Sequence, residues 1–253
     1  MSPGPHLAPA SRFAPLEVRP GARVFVLTGA GISAESGVRT FRDAGGLWED
    51  HRVEDVATPA GWARDPNLVW RFYSERRRQL AEVRPNPAHL ALAELEKIST
   101  LFLCTQNVDD LHERGGSREV CHMHGELLST RCESCDRPAL RDDKLYFAEL
   151  PRCACGARLR PDIVWFGEVP MHLPRIAEEL AQCDLFLTIG SSGAVYPAAG
   201  LVAQVRRIPS ARTGRFARTI YIGPEAPENA RAFDECRLGR AGEVLPALFR
   251  AAT

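Results

Sequence analysis

The chain has 253 residues, and its 32 Lys and Arg residues balance 32 Asp and Glu residues, so the formal net charge is zero. Hydrophobic residues make up 45% of the chain and charged residues 25%, which is typical of globular proteins. This composition excludes a disordered chain, a collagen-like chain and a basic protein that wraps nucleic acid, so we expect no specific nucleic-acid partner. No apolar run reaches the roughly 18 residues of a membrane helix, and we expect no membrane partner.

Apolar strands alternate with amphipathic helices after a proline-rich start. Residues 1–20 contain five prolines, and we predict that they form a disordered lead-in. We predict buried strands at 24–28, 100–105, 185–189 and 219–222, and helices at 87–97 and 173–181. This alternation is typical of a parallel sheet covered on both faces. The predicted fold class is therefore α/β, with an open Rossmann-like parallel sheet formed by residues 21–124 and 161–253.

Eight cysteines are present, and four of them crowd between residues 132 and 155. Their spacing is Cys-x2-Cys followed by Cys-x-Cys, and four thiolates suit a closed tetrahedral Zn²⁺ site with a structural role. We predict a small inserted zinc-binding module over residues 125–160, with one Zn²⁺ held by Cys132, Cys135, Cys153 and Cys155. The start of the chain lacks the apolar segment of a secretory signal, so we expect a cytoplasmic protein.

A glycine-rich turn follows the first predicted strand. The run from Gly29 to Ala34 fits the G-x-G-x-x-A form of the dinucleotide fingerprint, in which glycines let the backbone approach a pyrophosphate. By itself this run is also compatible with a tight structural turn.

The longer run is more specific. From Gly29 to Arg42, followed by Gly46-Leu47-Trp48, it resembles the signature of the sirtuins, the NAD-dependent protein-lysine deacylases. The resemblance continues over about residues 22–250. It implies that NAD is the co-substrate and that the Rossmann-like domain binds it, with contacts in this stretch from Gly29, Ala30, Gly31, Ile32, Ser33, Ala34, Glu35, Thr40, Phe41, Arg42 and Trp48.

Polar residues follow the second and third predicted strands, at 106–109 and 190–192. Open α/β sheets bind ligands at the carboxyl ends of their strands, although Asn and Asp at a strand end are equally plausible as turn formers. The first run resembles the sirtuin Gln-Asn-Ile-Asp motif, which implies a ribose contact for Gln106 and a place in the nicotinamide pocket for Asn107 and Asp109. The second resembles the sirtuin Gly-Ser-Ser motif. The implied NAD contacts are Gln106, Asn107, Val108, Asp109, Gly190, Ser191 and Ser192.

Two further NAD contacts are implied near the end of the chain. Sirtuins usually carry Asn after the last strand of this group, and its side chain contacts the adenosine ribose. Gly223 stands there instead, so only a backbone contact is implied. Ala241 occupies the turn that lies close to adenine in the family.

Two histidines flank Met123 in a His-Met-His-Gly run. A single His is usually structural, and a pair with this spacing could also bind a metal. The run resembles the sirtuin His-Gly motif, which implies that His124 is the general base and acts with Asn107 and Asp109. An imidazole is suited to accepting a proton from a ribose hydroxyl near neutral pH. His122 receives no role from the resemblance.

The segment Val164-Trp165-Phe166-Gly167 could be an ordinary core strand. It resembles the sirtuin segment that pairs with the substrate peptide as an added strand. The resemblance implies contacts to the acyl-lysine from Val164, Phe166 and Gly167, with acylated protein lysines as the partner. We expect the protein to be a monomer.

Tyr73 and Arg76 are three residues apart and therefore share one face of a predicted helix. An exposed basic helix face would explain them as well. They resemble the Tyr-x-x-Arg signature of class III sirtuins, which remove succinyl, malonyl or glutaryl groups. A guanidinium binds a carboxylate with two hydrogen bonds and a phenol adds a third donor, while the small Ala57 leaves room for the longer chain.

The predicted function is NAD-dependent removal of succinyl, malonyl and acetyl groups from protein lysines. The products implied are nicotinamide and 2′-O-acyl-ADP-ribose. Two alternatives remain open from the sequence. One is a protein mono-ADP-ribosyltransferase, and the other is a binding module that senses NAD without catalysis.

Overall fold

The structure, a computed structural model, describes residues 13–19, 21–39, 47–48 and 51–251, with the backbone alone at 47–48 and 250–251. The predicted NAD contacts of Thr40, Phe41 and Arg42 and of the Trp48 side chain lie outside the described residues. The first twelve residues of the predicted lead-in do so as well. Among the described residues, no helix is both long and apolar enough to span a bilayer.

The strands, in chain order, are β1 (Leu16–Val18), β2 (Arg23–Thr28), β3 (Leu47–Trp48), β4 (His51–Arg52), β5 (Thr100–Thr105), β6 (Val120–His122), β7 (Gly125–Cys132), β8 (Leu140–Arg141), β9 (Leu159–Ile163), β10 (Leu185–Ile189), β11 (Arg218–Gly223), β12 (Glu235–Leu238) and β13 (Phe249–Ala251). The α-helices are α1 (Ala30–Ala34), α2 (Val53–Val56), α3 (Pro59–Arg64), α4 (Pro66–Glu82), α5 (Pro87–Ile98), α6 (Leu111–Arg114), α7 (Leu173–Leu180), α8 (Leu201–Val205) and α9 (Ala241–Val244). Short 3₁₀ turns occupy Ala198–Gly200, Ala230–Ala232 and Leu245–Ala247.

Six parallel strands form the central sheet in the order β12-β11-β10-β2-β5-β6. The inner strands β2, β5 and β10 are buried over most of their length, and apolar side chains cover both faces of the sheet. The predicted α/β fold with an open Rossmann-like sheet is confirmed. The four predicted strands are β2, β5, β10 and β11, and their bounds differ from the prediction by at most one residue.

The start of the chain differs from its prediction. β1 pairs in parallel with β13, and Leu16 and Val18 are buried against the core beneath α5 and α9. The predicted disorder over 1–20 is therefore wrong for this strand. The prediction of disorder rested on the five prolines of the segment. Leu16, Glu17 and Val18 nevertheless alternate between apolar and polar side chains, so one face of this short strand is buried.

Helix α4 has clear start signals and carries two of the predicted substrate residues. The Asp65 side chain accepts a hydrogen bond from the backbone N–H of Leu68 at 2.9 Å, and Pro66 occupies the first turn. One face of α4 is buried against the apolar cluster around Trp62 and Trp165. Tyr73 and Arg76 lie on that buried face.

The predicted zinc-binding module contains the antiparallel sheet β8-β7-β9. β7 begins at Gly125, and the predicted end of the module at residue 160 falls within β9. Arg77 of α4 reaches into this sheet and donates hydrogen bonds to the backbone oxygens of Leu127 at 2.8 Å and Ser129 at 3.2 Å. The module and α4 are therefore packed into one unit beside the central sheet.

Candidate active site

Two glycine turns meet where β2 and β10 end. The backbone N–H of Gly31 donates to the Gly190 oxygen at 2.8 Å, and a Cβ on Gly31 would lie 2.7 Å from the same oxygen. Gly190 has φ of 63°, a conformation that glycine adopts without strain. The close approach thus requires glycine in both turns, and it places the predicted phosphate-binding run beside Ser191.

The polar run after β5 lies against these turns. Gln106 donates from Nε2 to Ser191 Oγ at 3.0 Å, and Asn107 donates from Nδ2 to Ser33 Oγ at 3.0 Å. The Asp109 carboxylate is buried, and it accepts hydrogen bonds from Ser33 and from the backbone N–H of Leu111. Burial raises the pKa of Asp109 above its ordinary value. Side chains from three separate stretches of sequence therefore converge at one end of the sheet.

His124 follows β6 at the edge of this group. Its Nδ1 lies 3.1 Å from the backbone oxygen of Gln106. Because a carbonyl oxygen can only accept, Nδ1 must carry the proton, and Nε2 of the neutral ring is left as the basic nitrogen. Burial lowers the pKa of His124, so the neutral form persists to lower pH than in a free imidazole. This is the protonation state that a general base needs.

The neighbouring His122 is held differently. Its Nδ1 faces the Asn107 oxygen at 3.0 Å, and its Nε2 faces the Glu113 carboxylate at 2.7 Å. Hydrogen bonding to Glu113 raises the pKa of His122 against the effect of burial. Both nitrogens are thus engaged by acceptors, and His122 supports the loop that carries Asn107.

The predicted acyl-binding residues Tyr73 and Arg76 lie on the buried face of α4. Tyr73 and Arg76 are 0% and 8% exposed, and burial raises the pKa of the Tyr73 phenol. The charge of Arg76 acts on both Tyr73 and Asp109. Arg76 also borders a cavity of about 140 Å³ that His51, Phe72, Glu75 and Gln79 complete.

The segment after β9 connects the predicted base with the acyl-binding residues. The backbone N–H of Val164 donates to the His124 oxygen at 2.9 Å, and that of Phe166 donates to the Ala57 oxygen at 3.0 Å. The Phe166 side chain is half exposed, while Ala57 is buried. Gly167 follows with φ of 93°. The segment predicted to bind the acyl-lysine therefore lies between His124 and Ala57.

The predicted adenosine contacts form a second group. The Glu35 carboxylate accepts from the backbone N–H of Gly242 at 3.2 Å, which brings the first turn of the site to the start of α9 and to Ala241. At the end of β11, a Cβ on Gly223 would lie 2.2 Å from the Tyr221 hydroxyl oxygen. A side chain at this position would therefore require the Tyr221 side chain to move. The backbone oxygen of Ser192 accepts a hydrogen bond from the backbone N–H of Glu228.

The four clustered cysteines converge on one point. All four Sγ atoms lie within 4.8 Å of one another. The Cys132–Cys155 and Cys135–Cys153 sulfur pairs are 3.5 and 3.7 Å apart. Tetrahedral Zn²⁺ with four thiolates requires S···S separations of about 3.8 Å, whereas a disulfide requires about 2 Å. The donor set and its spacing fit one structural zinc ion.

Removal of one ligand should release this zinc. Cys135→Ala leaves three thiolates, and we expect the zinc content to fall from one per chain towards zero with a decrease in Tm of about 10 °C. Metal analysis by mass spectrometry and thermal melting measure the two effects. Cys236→Ala is the matched control, because Cys236 is a half-buried cysteine outside the cluster. Full zinc content in Cys135→Ala would contradict the assignment.

Sequence reasoning missed the residues that support Tyr73. The sequence places Trp165 in the segment that resembles the peptide-pairing strand and gives it no role of its own, yet its indole nitrogen reaches the Tyr73 hydroxyl. Arg160 was not singled out, and its guanidinium stacks on the Trp165 ring. A buried Trp needs a hydrogen-bond acceptor, and this was the available signal, although the sequence does not say where the acceptor lies.

Comparison with known proteins decides the family. Residues 29–197 match the Sir2 family, which is more than half of the chain. The chain belongs to the Sir2 family. The resemblance to sirtuins that the motifs carry is thereby confirmed.

Curated Sir2 relatives match nearly the whole chain. The NAD-dependent protein deacylase of Pasteurella multocida is 49% identical over 88% of this chain and 95% of its own length. That of Yersinia pseudotuberculosis is 52% identical over 90% of this chain and 81% of its own length.

Solved Sir2 structures share the fold. A Sir2 homologue in complex with ADP-ribose has a TM-score of 0.81 and 41% identity, covering 88% of this chain and 89% of that chain. A Sir2 homologue in complex with NAD has a TM-score of 0.80 and also 41% identity, covering 88% and 86%. A third, Sir2Af2 bound to a myristoylated histone peptide, has a TM-score of 0.66 and 34% identity, covering 89% and 88%.

Proposed function

We propose that this protein is an NAD-dependent protein-lysine deacylase that removes succinyl and malonyl groups as well as acetyl groups. The family and the curated deacylases support the deacylase activity. The choice of acyl group rests on the burial of Tyr73 and Arg76 on the same face of α4. Ala57 is buried as well, and its backbone oxygen accepts a hydrogen bond from Phe166.

The chemistry of Arg76 and Tyr73 favours an acyl chain that ends in a carboxylate. A guanidinium that is largely withdrawn from water forms stronger charge-assisted hydrogen bonds than an exposed one. Burial keeps the Tyr73 phenol protonated, and a protonated phenol donates to a carboxylate. An acetyl group has no carboxylate, so it would use neither donor and would still fit the same space.

The net reaction consumes acyl-lysine, NAD⁺ and water and yields lysine, nicotinamide and 2′-O-acyl-ADP-ribose. NAD⁺ supplies the ADP-ribose that accepts the acyl group. In this reaction Asn107 and Asp109 would hold the nicotinamide end, because their side chains converge with Ser33 on the glycine turn. His124 would accept the proton of a ribose hydroxyl at Nε2, whose lone pair the hydrogen bond from Nδ1 to Gln106 leaves available.

The substrate partner would be an acylated lysine in an extended peptide. The structure of Sir2Af2 has been solved with a bound myristoylated histone peptide. That complex supports a peptide substrate for the present protein as well. Here the segment from Val164 to Gly167 would pair with the peptide backbone, which brings the acyl-lysine between His124 and Ala57.

Mass spectrometry of peptides tests this proposal. Peptides of one sequence that carry succinyl-, malonyl- or acetyl-lysine are incubated with the protein, with and without NAD⁺. We expect loss of each acyl group only with NAD⁺, together with equimolar nicotinamide and acyl-ADP-ribose. Peptide that gains ADP-ribose, or nicotinamide release that does not depend on the acyl group, would support the ADP-ribosyltransferase alternative instead. Binding of NAD⁺ without any turnover would support the sensing module.

A further inference from the structure

One hydrogen bond joins the Tyr73 phenol to a residue 92 positions later in the chain. The indole Nε1–H of Trp165 donates to Tyr73 Oη at 3.1 Å, and both side chains are buried, at 2% and 0% exposure. An indole nitrogen can only donate, so the phenol oxygen must accept. The proton of Tyr73 is therefore directed away from Trp165.

The Trp165 indole is itself held in place by Arg160 and Glu168. The Arg160 guanidinium lies 3.4 Å from the centre of the ring, and it donates to the Glu168 carboxylate oxygens at 2.7 and 2.9 Å. The same carboxylate accepts from the backbone N–H of Trp165 at 2.8 Å. These contacts fix the direction of the indole N–H, and through it the orientation of the phenol.

We propose that Trp165 is a positioning residue for acyl specificity: its indole N–H engages the Tyr73 oxygen so that the phenol proton is presented to the terminal carboxylate of an acidic acyl chain beside Arg76. This inference rests on the proposed function. Burial also raises the pKa of Tyr73, which keeps the donor proton in place over the neutral pH range. A neutral acyl group makes no use of that proton, so the effect of the Trp165 indole N–H belongs to acidic acyl groups alone.

Trp165→Phe tests the inference, because it keeps an aromatic ring and removes the N–H. We expect the ratio of succinyl to acetyl kcat/KM to fall about three- to tenfold, as for the loss of one hydrogen bond that only the acidic acyl chain uses. Trp70→Phe is the matched control. The Trp70 indole is equally buried and donates to the Leu159 backbone oxygen at 3.0 Å, so this variant loses a similar hydrogen bond without touching Tyr73. It should not change the ratio of succinyl to acetyl activity.

A double-mutant cycle separates positioning from packing. In a Tyr73→Phe background there is no phenol to orient, so adding Trp165→Phe should leave the ratio of succinyl to acetyl kcat/KM unchanged. Trp165→His retains a ring N–H and should preserve more of the succinyl preference than Trp165→Phe does. Its acetyl turnover also shows whether a change at this position leaves the protein folded.

The outcomes distinguish the inference from the function on which it rests. Equal losses for succinyl and acetyl peptides with an unchanged Tm, or a full effect of Trp165→Phe in the Tyr73→Phe background, would overturn the role of Trp165 while leaving the proposed function intact. A native protein that removes acetyl but not succinyl groups would refute the acyl choice and this inference together.

Discussion

Replacing Arg76 by Met is expected to abolish most desuccinylation while most deacetylation remains. Methionine keeps much of the apolar length of the side chain but offers no donor to a carboxylate. The loss of one or two charge-assisted hydrogen bonds in a buried site corresponds to a decrease of about 10- to 100-fold in kcat/KM for a succinyl peptide. Steady-state kinetics with succinyl and acetyl peptides of the same sequence measure this selectivity.

Arg78→Met is the matched control for that experiment. Arg78 lies on the same helix, but its side chain is 60% exposed and pairs with Glu75 on the surface. It should leave both activities unchanged. If Arg76→Met lowered succinyl and acetyl turnover by the same factor, Arg76 would support the helix rather than read the carboxylate.

His124→Tyr is expected to abolish the removal of every acyl group. A general base commonly contributes about 10²- to 10⁴-fold to the rate, and a tyrosine at this position stays protonated at neutral pH. The measurement is single-turnover release of nicotinamide and lysine from succinyl and acetyl peptides. The Tm of the variant should remain close to that of the native protein, because His124 is only partly buried. Turnover near the native rate would mean that another residue is the base.

The pH profile provides an independent check on His124. The base works only when the imidazole is neutral, and burial lowers its pKa below the ordinary 6.5. The rate should therefore be level at neutral pH and should fall about tenfold per unit only below that lowered pKa. An acid limb with a midpoint above 6.5 would contradict the assignment of this group. His122, whose pKa is raised by Glu113, would be the first residue to consider in its place.

The central sheet was predictable from local sequence patterns, because each of its buried strands is a short, continuous apolar run. β5 and β10 are short apolar runs that end in polar or glycine residues, and their bounds match the prediction. The pairing of β1 with β13 was not predictable in the same way. It joins Leu16 to Phe249, and no local pattern tells a three-residue strand which distant strand it will meet.

The zinc cluster and the catalytic motifs were predicted for different reasons. Four thiols at short spacing have few other uses in a chain without a disulfide framework, so the spacing of the cysteines from Cys132 to Cys155 by itself indicates a metal site. For His124 the family resemblance supplied the role, and the structure supplies the hydrogen bond to Gln106 that fixes its tautomer. Neither the residue spacing nor the family resemblance predicted the contact between Trp165 and Tyr73, because 92 residues separate them in the sequence.

The residues proposed for acyl recognition and for proton transfer lie on separate segments of the chain. Tyr73 and Arg76 belong to α4, whereas His124 follows β6 and is tied to Val164 through the backbone. A library that varies only the buried face of α4 could therefore change which acyl chain is accepted without rebuilding the base. The same division offers a route by which related enzymes could diverge in substrate while keeping one reaction.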